Sequence, residues 1–313
     1  MEELLKIEGL KVHFPVKGGG VVYAVDGVNL TIFKGETLGL VGESGCGKST
    51  LGKSILRLVE PTSGEIFFKS ENIRSLGTKE LQAKRKEMQM VFQDPFSSLN
   101  PRMRIEEIVG EPLDIHSLSR SGRRERVIEL LESVGLGEDA MPRFPHQFSG
   151  GQRQRIGLAR ALAVEPEFIV ADEPVSALDV SIQAQIVNLM KDLGETFSLT
   201  YLFIAHDLRV VEYISDRVAI MYLGKIVEIG LSKEIYSLPR HPYTKALFSS
   251  IPEPSPGAKG SKTLLKGDMP SPLMPPSGCS FHTRCPIAEP LCRKELPVLR
   301  EIGEKHSVAC HLA

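Results

Sequence analysis

Gly42-Glu-Ser44-Gly45-Cys46-Gly47-Lys48-Ser49-Thr50 puts three glycines, a lysine and three hydroxyls on one short stretch. It fits G-x-x-x-x-G-K-[ST], a phosphate loop. Its glycines let backbone N–H groups converge on anionic oxygens, and a helix opening at its end adds a favourable dipole. Lys48 can set a point charge between β- and γ-phosphates, Ser49 can offer a hydroxyl to Mg²⁺, and Thr50 can reach phosphate. Cys46 reads as a small loop filler. A second group is acidic: the apolar run Phe168–Ala171 ends in Asp172 and Glu173. Asp172 suits Mg²⁺ beside phosphates, held through water. Glu173, one residue on, suits a general base aimed at the attacking water. A third group, Ser149-Gly150-Gly151-Gln152, opens a helical pattern and forms another anion-binding terminus.

Cys279, Cys285, Cys292 and Cys310 follow the spacing C-x5-C-x6-C-x17-C, whereas residues 1–278 hold only Cys46. Clustered cysteines in a reducing compartment favour metal over disulfides. Close C-x2-C pairs, the usual presentation for structural zinc, are absent. Wide, uneven gaps suit a [4Fe–4S] cubane wrapped by loops. Zn²⁺ is the alternative, with His282, His306 and His311 as substitute ligands. Free thiols or disulfides come third.

A chain of 313 residues has room for two or three compact units and a large core. With 42% hydrophobic and 25% charged residues it reads as a soluble globular protein. A net charge of −1 provides no global basic field for nucleic acid. The local group Arg120, Arg123, Arg124 and Arg126 reads as a solvated helix face. No apolar run is long enough to span a bilayer, and the N-terminal residues lack a signal peptide. The expected place is cytoplasmic, with any membrane work done through partners.

These groups need elements to hold them. Lys6–Phe14 and Val28–Phe33 read as strands, and Thr37–Val41 as the buried strand before the phosphate loop. A helix should follow through Leu51, Ile55 and Leu58. Helical patterns dominate from about 94 to 165, most clearly at Arg123–Val134. Ser181–Leu193 has amphipathic spacing, and Arg217–Ile229 reads as a hairpin turning near Gly224. Strands alternating with helices predict a mainly parallel α/β core. Ile251–Pro276, rich in Pro, Ser and Gly, should be loop-like.

The ordered set GESGCGKST, FSGGQ, FIVADEP and IAHD resembles the ATP-hydrolysing subunit of ABC transporters. The resemblance implies an α/β P-loop NTPase fold: a RecA-like core, an N-terminal antiparallel β region, an inserted helical subdomain and a small C-terminal metal-binding extension. The corresponding division is 1–93 with 166–236 as core, 94–165 as the helical signature-bearing part, and 237–313 as Pro-rich linker and four-cysteine domain. By resemblance, Gln93 is the Q-loop glutamine sensing Mg²⁺ and water. His206 is the switch histidine at the γ-phosphate. Phe14 is the adenine-stacking aromatic, with Tyr23 its competitor. Ser149, Gly150, Gly151 and Gln152 bind the γ-phosphate of ATP on the opposite subunit, and Asp179 belongs to the D-loop lining that interface. Phe148 replaces the commoner leucine and preserves an apolar anchor. A second ATPase subunit, identical or paralogous, is therefore required.

His241-Pro-Tyr-Thr-Lys-Ala-Leu and the stretch from Pro275 through Cys279 to Pro286 resemble oligopeptide and dipeptide permease ATPases. Phe92–Pro101 and Glu173–Gln185 match the same group. Within it the chain resembles the F-type subunit. That implies a D-type paralogue, two transmembrane permease subunits, a peptide-binding protein acting indirectly, and a peripheral place on the cytoplasmic membrane face. The surface from Gln93 to Arg104 would pass motion to membrane helices. Rival readings are soluble ABC ATPases of DNA repair, ribosome work or iron–sulfur assembly, and a non-catalytic metal-binding adaptor. Repair members carry long coiled coils between phosphate loop and signature, ribosome-acting members usually carry two cassettes, and neither feature is present. An adaptor has no use for Lys48, Gln93, Glu173 and His206 together.

Overall fold

Alternating inward side chains shape the first two strands of the computed structural model, which describes residues 2–94, 98–118, 122–249, 267–303 and 305–313. In β1 (Glu3–Pro15), Leu4, Leu5, Ile7, Leu10 and Val12 are buried, with the alternation shifting at Gly9. In β2 (Val21–Phe33), Val28, Leu30 and Ile32 are buried at alternate positions. β3 (Thr37–Val41) is buried on both faces and runs into the phosphate loop, followed by α1 (Lys48–Ile55). β4 (Ser63–Phe68) and β5 (Glu71–Asn72) come next, then α2 (Thr78–Lys84) and β6 (Met88–Val91). Three helices follow, α3 (Ile105–Ile115), α4 (Arg123–Ser133) and α5 (Gly150–Leu162). β7 (Phe168–Asp172), α6 (Val180–Phe197) and β8 (Thr200–Ile204) form a parallel-strand crossover. α7 (Leu208–Ile214), β9 (Arg217–Tyr222) and β10 (Lys225–Leu231) precede α8 (Ser232–Ser237) and α9 (Pro242–Phe248). α10 (Pro290–Lys294), β11 (Arg300–Gly303) and β12 (His306–Val308) complete the described elements.

Two compact units divide the chain. One comprises 33–36 and 75–205. There β6, β7 and β8 are parallel, with Val91 opposite Ala171 and Asp172 opposite Ile204. All five residues of β7 are buried, which suits a central strand with no solvated face. Helices α3, α4 and α5 lie in the long crossover from β6 to β7 and bury Ile108, Val109, Leu130, Leu131, Ile156 and Leu158. Arg123, Arg124 and Arg126 pair with Asp114, Glu138 and Glu165, a solvated face as expected. Arg120 lies outside the described residues.

The other unit comprises 2–32, 37–74 and 206–313. Its antiparallel sheet has the order β2-β1-β4-β5. A second set of strands joins β3 in parallel to β9, then β10, β12 and β11 antiparallel. The β9–β10 hairpin turns at Leu223 and Gly224. Two expectations are corrected here. The helix after the phosphate loop stops at Ile55, because Arg57 adopts φ 50°, a left-handed conformation that ends the turn, and Leu58 is left exposed. His306 is no spare metal ligand: it is buried in β12 with Nε2 2.8 Å from the Glu228 carboxylate of β10. Of the Pro-rich stretch, 251–266 lies outside the described residues. Among the described residues no helix is long and apolar enough to cross a membrane.

Candidate functional site: a phosphate loop, a strand-end carboxylate pair and a cysteine cavity

The phosphate loop is tightly tied. Gly47 has φ 109°, and a Cβ there would stand 2.0 Å from the Ala24 carbonyl oxygen, so only glycine fits. Lys48 is 5% exposed, and its Nζ donates to the carbonyls of Gly42 at 2.8 Å and Glu43 at 3.1 Å. A lysine held on loop carbonyls carries a pre-positioned charge. The Cys46 N–H also donates to the Glu43 carbonyl, and the Cys46 carbonyl accepts from Gly224 N–H. Cys46 itself is buried and its thiol is pushed up by burial, which suits a filler. Ser44 and Gly45 are exposed, while Ser49 and Thr50 are half-buried on the first turn of α1. In the same unit, His206 is exposed just beyond the end of β8. Phe14 is exposed near the end of β1, whereas Tyr23 is engaged edge-on by the His13 ring at 4.6 Å.

The acidic pair sits in the first unit. Asp172 ends β7 at 3% exposure. Glu173 follows with φ 47°, a strained conformation for a non-glycine residue of the kind that gathers at working sites. Its N–H donates to the Ile204 carbonyl at 2.9 Å. Gln93 lies two residues past β6, level with this strand end, and its Nε2 donates to Glu173 Oε2 at 3.0 Å. Strand register thus places Gln93 beside the strand end that carries Asp172 and Glu173.

Ser149 caps α5. Its hydroxyl accepts from Gln152 N–H at 3.3 Å, and Gln152 Oε1 accepts from Ser149 N–H at 3.0 Å. A Cβ at Gly151 would lie 2.5 Å from Ile182 Cγ2, so the glycine lets α5 and α6 approach closely. Phe148 is buried under the Arg143 guanidinium, 4.1 Å from its ring centroid. Asp179 stands at the start of α6, its carbonyl accepting from Ile182 and Gln183 N–H groups.

Cys279, Cys285, Cys292 and Cys310 line one small cavity with His282 and His311. All are free thiols. The Cys279 N–H donates to the Cys292 carbonyl at 2.8 Å, fixing two of the four segments. Burial pushes the Cys279 thiol up to about 11, and the neighbouring thiols add to the rise. Among the described residues no group of three or more His, Cys, Asp or Glu side chains is arranged so that it could hold a metal ion. His282 Nδ1 is 2.9 Å from the Cys279 carbonyl and His311 Nε2 is 2.9 Å from the Glu295 carbonyl.

Two features escaped the sequence reading. Glu228, fully buried, accepts from Arg240 N–H, His241 N–H and His306 Nε2. An acid within the apolar strand Lys225–Leu231 was its only local signal. Arg284, two residues beyond His282, reaches the carboxylate of Glu43 in the phosphate loop; no local signal announces that contact.

Residues 25–176 match the family model described as ABC transporter, and residues 227–292 match the oligopeptide/dipeptide transporter C-terminal region. The chain is 54% identical to the oligopeptide transport ATP-binding protein AppF of Bacillus subtilis, covering 99% of this chain and 98% of that protein. It is 53% identical to the oligopeptide transport ATP-binding protein OppF of Escherichia coli, covering 98% and 95%. Its fold is similar to the dimeric post-hydrolysis state of the ATP-binding cassette MJ0796 bound to ADP and Pi. That likeness has TM-score 0.66 and 32% identity over 73% of this chain and 98% of that one.

Proposed function

This chain belongs to the ABC transporter family of ATP-binding cassettes, and on that premise we propose that it is the ATP-hydrolysing subunit of a peptide importer. The observation that carries the reading is Gln93 held on Glu173 at the end of β7. Lys48 and the phosphate-loop N–H groups bind the β- and γ-phosphates. Ser49, Gln93 and Asp172 serve Mg²⁺, which neutralises charge on the transferring phosphoryl group when bound. Glu173 takes a proton from water as the water oxygen bonds to the γ-phosphorus and the bond to the ADP oxygen breaks. His206 orients that water, and Phe14, whose ring is open to solvent, stacks on adenine.

The capped terminus at Ser149–Gln152 and the D-loop Asp179 face a second ATPase subunit. ATP binding closes the pair and loss of the γ-phosphate reopens it. The full-length likeness to oligopeptide transport ATP-binding proteins supports the peptide substrate. We read the chain as the F-type member, paired with a D-type paralogue under two permease subunits at the cytoplasmic membrane face. Four thiols around one cavity support a [4Fe–4S] cluster held by Cys279, Cys285, Cys292 and Cys310. Zinc is the alternative occupant of the same four thiols. A cluster would supply a covalent brace among these loops.

The test is reconstitution in lipid vesicles with permease subunits, paralogous ATPase and peptide-binding protein. ATP hydrolysis should rise when the binding protein is loaded with peptide, and peptide should accumulate inside. Hydrolysis indifferent to peptide would overturn the importer reading.

A further inference from the structure

Glu43, the residue after the first glycine of the phosphate loop, is gripped from three directions. Its carbonyl accepts from Lys48 Nζ and Cys46 N–H. Its N–H donates to the Tyr243 hydroxyl at 2.9 Å. Its two carboxylate oxygens accept from Arg284 Nη1 at 3.0 and 2.9 Å. The Arg284 side chain is only 7% exposed, so this ion pair is shielded from solvent on the arginine side. Arg284 also lies over the Tyr222 ring, 6.0 Å from its centroid. Tyr222, Tyr243 and Phe281 form a buried aromatic group with centroids 4.7 to 5.5 Å apart. Phe281 and Arg284 both belong to the short loop between Cys279 and Cys285. That loop is folded by the His282 N–H to Cys279 carbonyl and Arg284 N–H to Phe281 carbonyl bonds, each 3.0 Å.

We propose that Arg284 is a positioning residue for the phosphate loop: by holding the Glu43 carboxylate it fixes the loop backbone on which Lys48 rests. The cysteine-bearing loop is then a clamp on nucleotide binding. Loss of the clamp lets Glu43 swing, and the carbonyls that place Lys48 move with it. The nucleotide pays for re-ordering the loop, so affinity falls while the hydrolytic groups at β7 are untouched. A guanidinium suits the post, because its Nη1 spans both carboxylate oxygens while the planar group lies over the Tyr222 ring. This inference rests on the phosphate-loop reading of Lys48.

The test uses the complete transporter complex carrying Arg284→Ala, Arg284→Lys, Glu43→Gln, the double variant Arg284→Ala/Glu43→Gln, and Lys48→Ala as a control. Arg284→Ala should raise KM and Kd for MgATP about tenfold with kcat changed less than about twofold. Glu43→Gln should do the same, and the double variant should be no worse than either single one. Arg284→Lys should recover part of the affinity. Amide exchange at 42–48 should quicken in Arg284→Ala while the cavity cysteines keep their wild-type reactivity toward a thiol reagent. Unchanged MgATP affinity in Arg284→Ala, or additive losses in the double variant, would overturn the proposal. So would a kcat loss without a KM rise, or a thermal unfolding shift that Arg284→Lys fails to relieve. If Lys48→Ala leaves affinity unaltered, the phosphate-loop reading itself fails. If Lys48→Ala weakens binding and Arg284→Ala does not, only the clamp fails.

Discussion

Gln93 and Glu173 stand on the ends of neighbouring parallel strands and share one hydrogen bond of 3.0 Å. The bond ties one Glu173 carboxylate oxygen to the end of the neighbouring strand. Glu173 also adopts φ 47°, a left-handed conformation that costs a non-glycine residue energy.

Glu173→Gln keeps the shape and removes the carboxylate proposed as base. ATP binding should persist, turnover should fall by roughly 10²- to 10⁴-fold, and an ATP-bound dimer with the partner subunit should accumulate. Steady-state hydrolysis and size-exclusion of the complete complex read both effects. Near-normal hydrolysis would remove Glu173 from the base role.

Gly151→Ala brings a methyl into the 2.5 Å space beside Ile182 Cγ2. Overpacking should destabilise the unit by about 1–3 kcal/mol. Ile182→Ala should cost less in the Gly151→Ala background than alone, since it makes room for the new methyl. Denaturant midpoints of the four proteins give the coupling, and strict additivity would refute close helix approach as the reason for the glycine.

Anaerobically purified protein should contain about four irons and four sulfides and absorb in the visible. Cys279→Ser should lose the colour and most of the iron. Stoichiometric zinc without colour would assign the cavity to a structural ion instead, and metal-free protein would leave its thiols unligated.

His241 is almost fully buried, accepts from Tyr243 N–H through Nδ1, and is pushed by burial from 6.5 down to about 3. Above pH 6.5 the ring is neutral folded or unfolded and has no effect on the pH profile. Below it the unfolded chain binds a proton that the folded chain refuses. Stability is therefore lost as pH falls from 6.5 toward 3, by up to about 1.4 kcal/mol per pH unit. His241→Asn can still cap α9 and should flatten that slope. Equal slopes in denaturation series at about pH 7, 6 and 5 would show that His241 titrates normally.

What could be read from the sequence was local. The phosphate loop, the β7 acids and the α5 cap are short contiguous patterns, and their elements lie where the patterns placed them. What escaped was long-range. Arg284 meets Glu43 across 241 positions, and His306 meets Glu228 across 78. A histidine near cysteines looks like a ligand, and nothing nearby reveals that a buried acid has claimed it. Leu58 extended the helical period correctly, but the period carries no warning of the left-handed turn at Arg57. The three-residue strand β12 is too short for its alternation to stand out.

That short strand has a bearing on how the protein survives in a crowded cell. β12 pairs along β10, and β11, four exposed residues that include Arg300 and Glu301, forms the outer rim. A brief, charged rim offers other chains little to extend. A molecule clipped before residue 300 would expose the backbone donors and acceptors of β10 beside Ile226, Val227 and Ile229. Such a remnant would invite strand addition from its neighbours, so proteolytic nicking of this hairpin would turn a well-behaved subunit into a seed for aggregation.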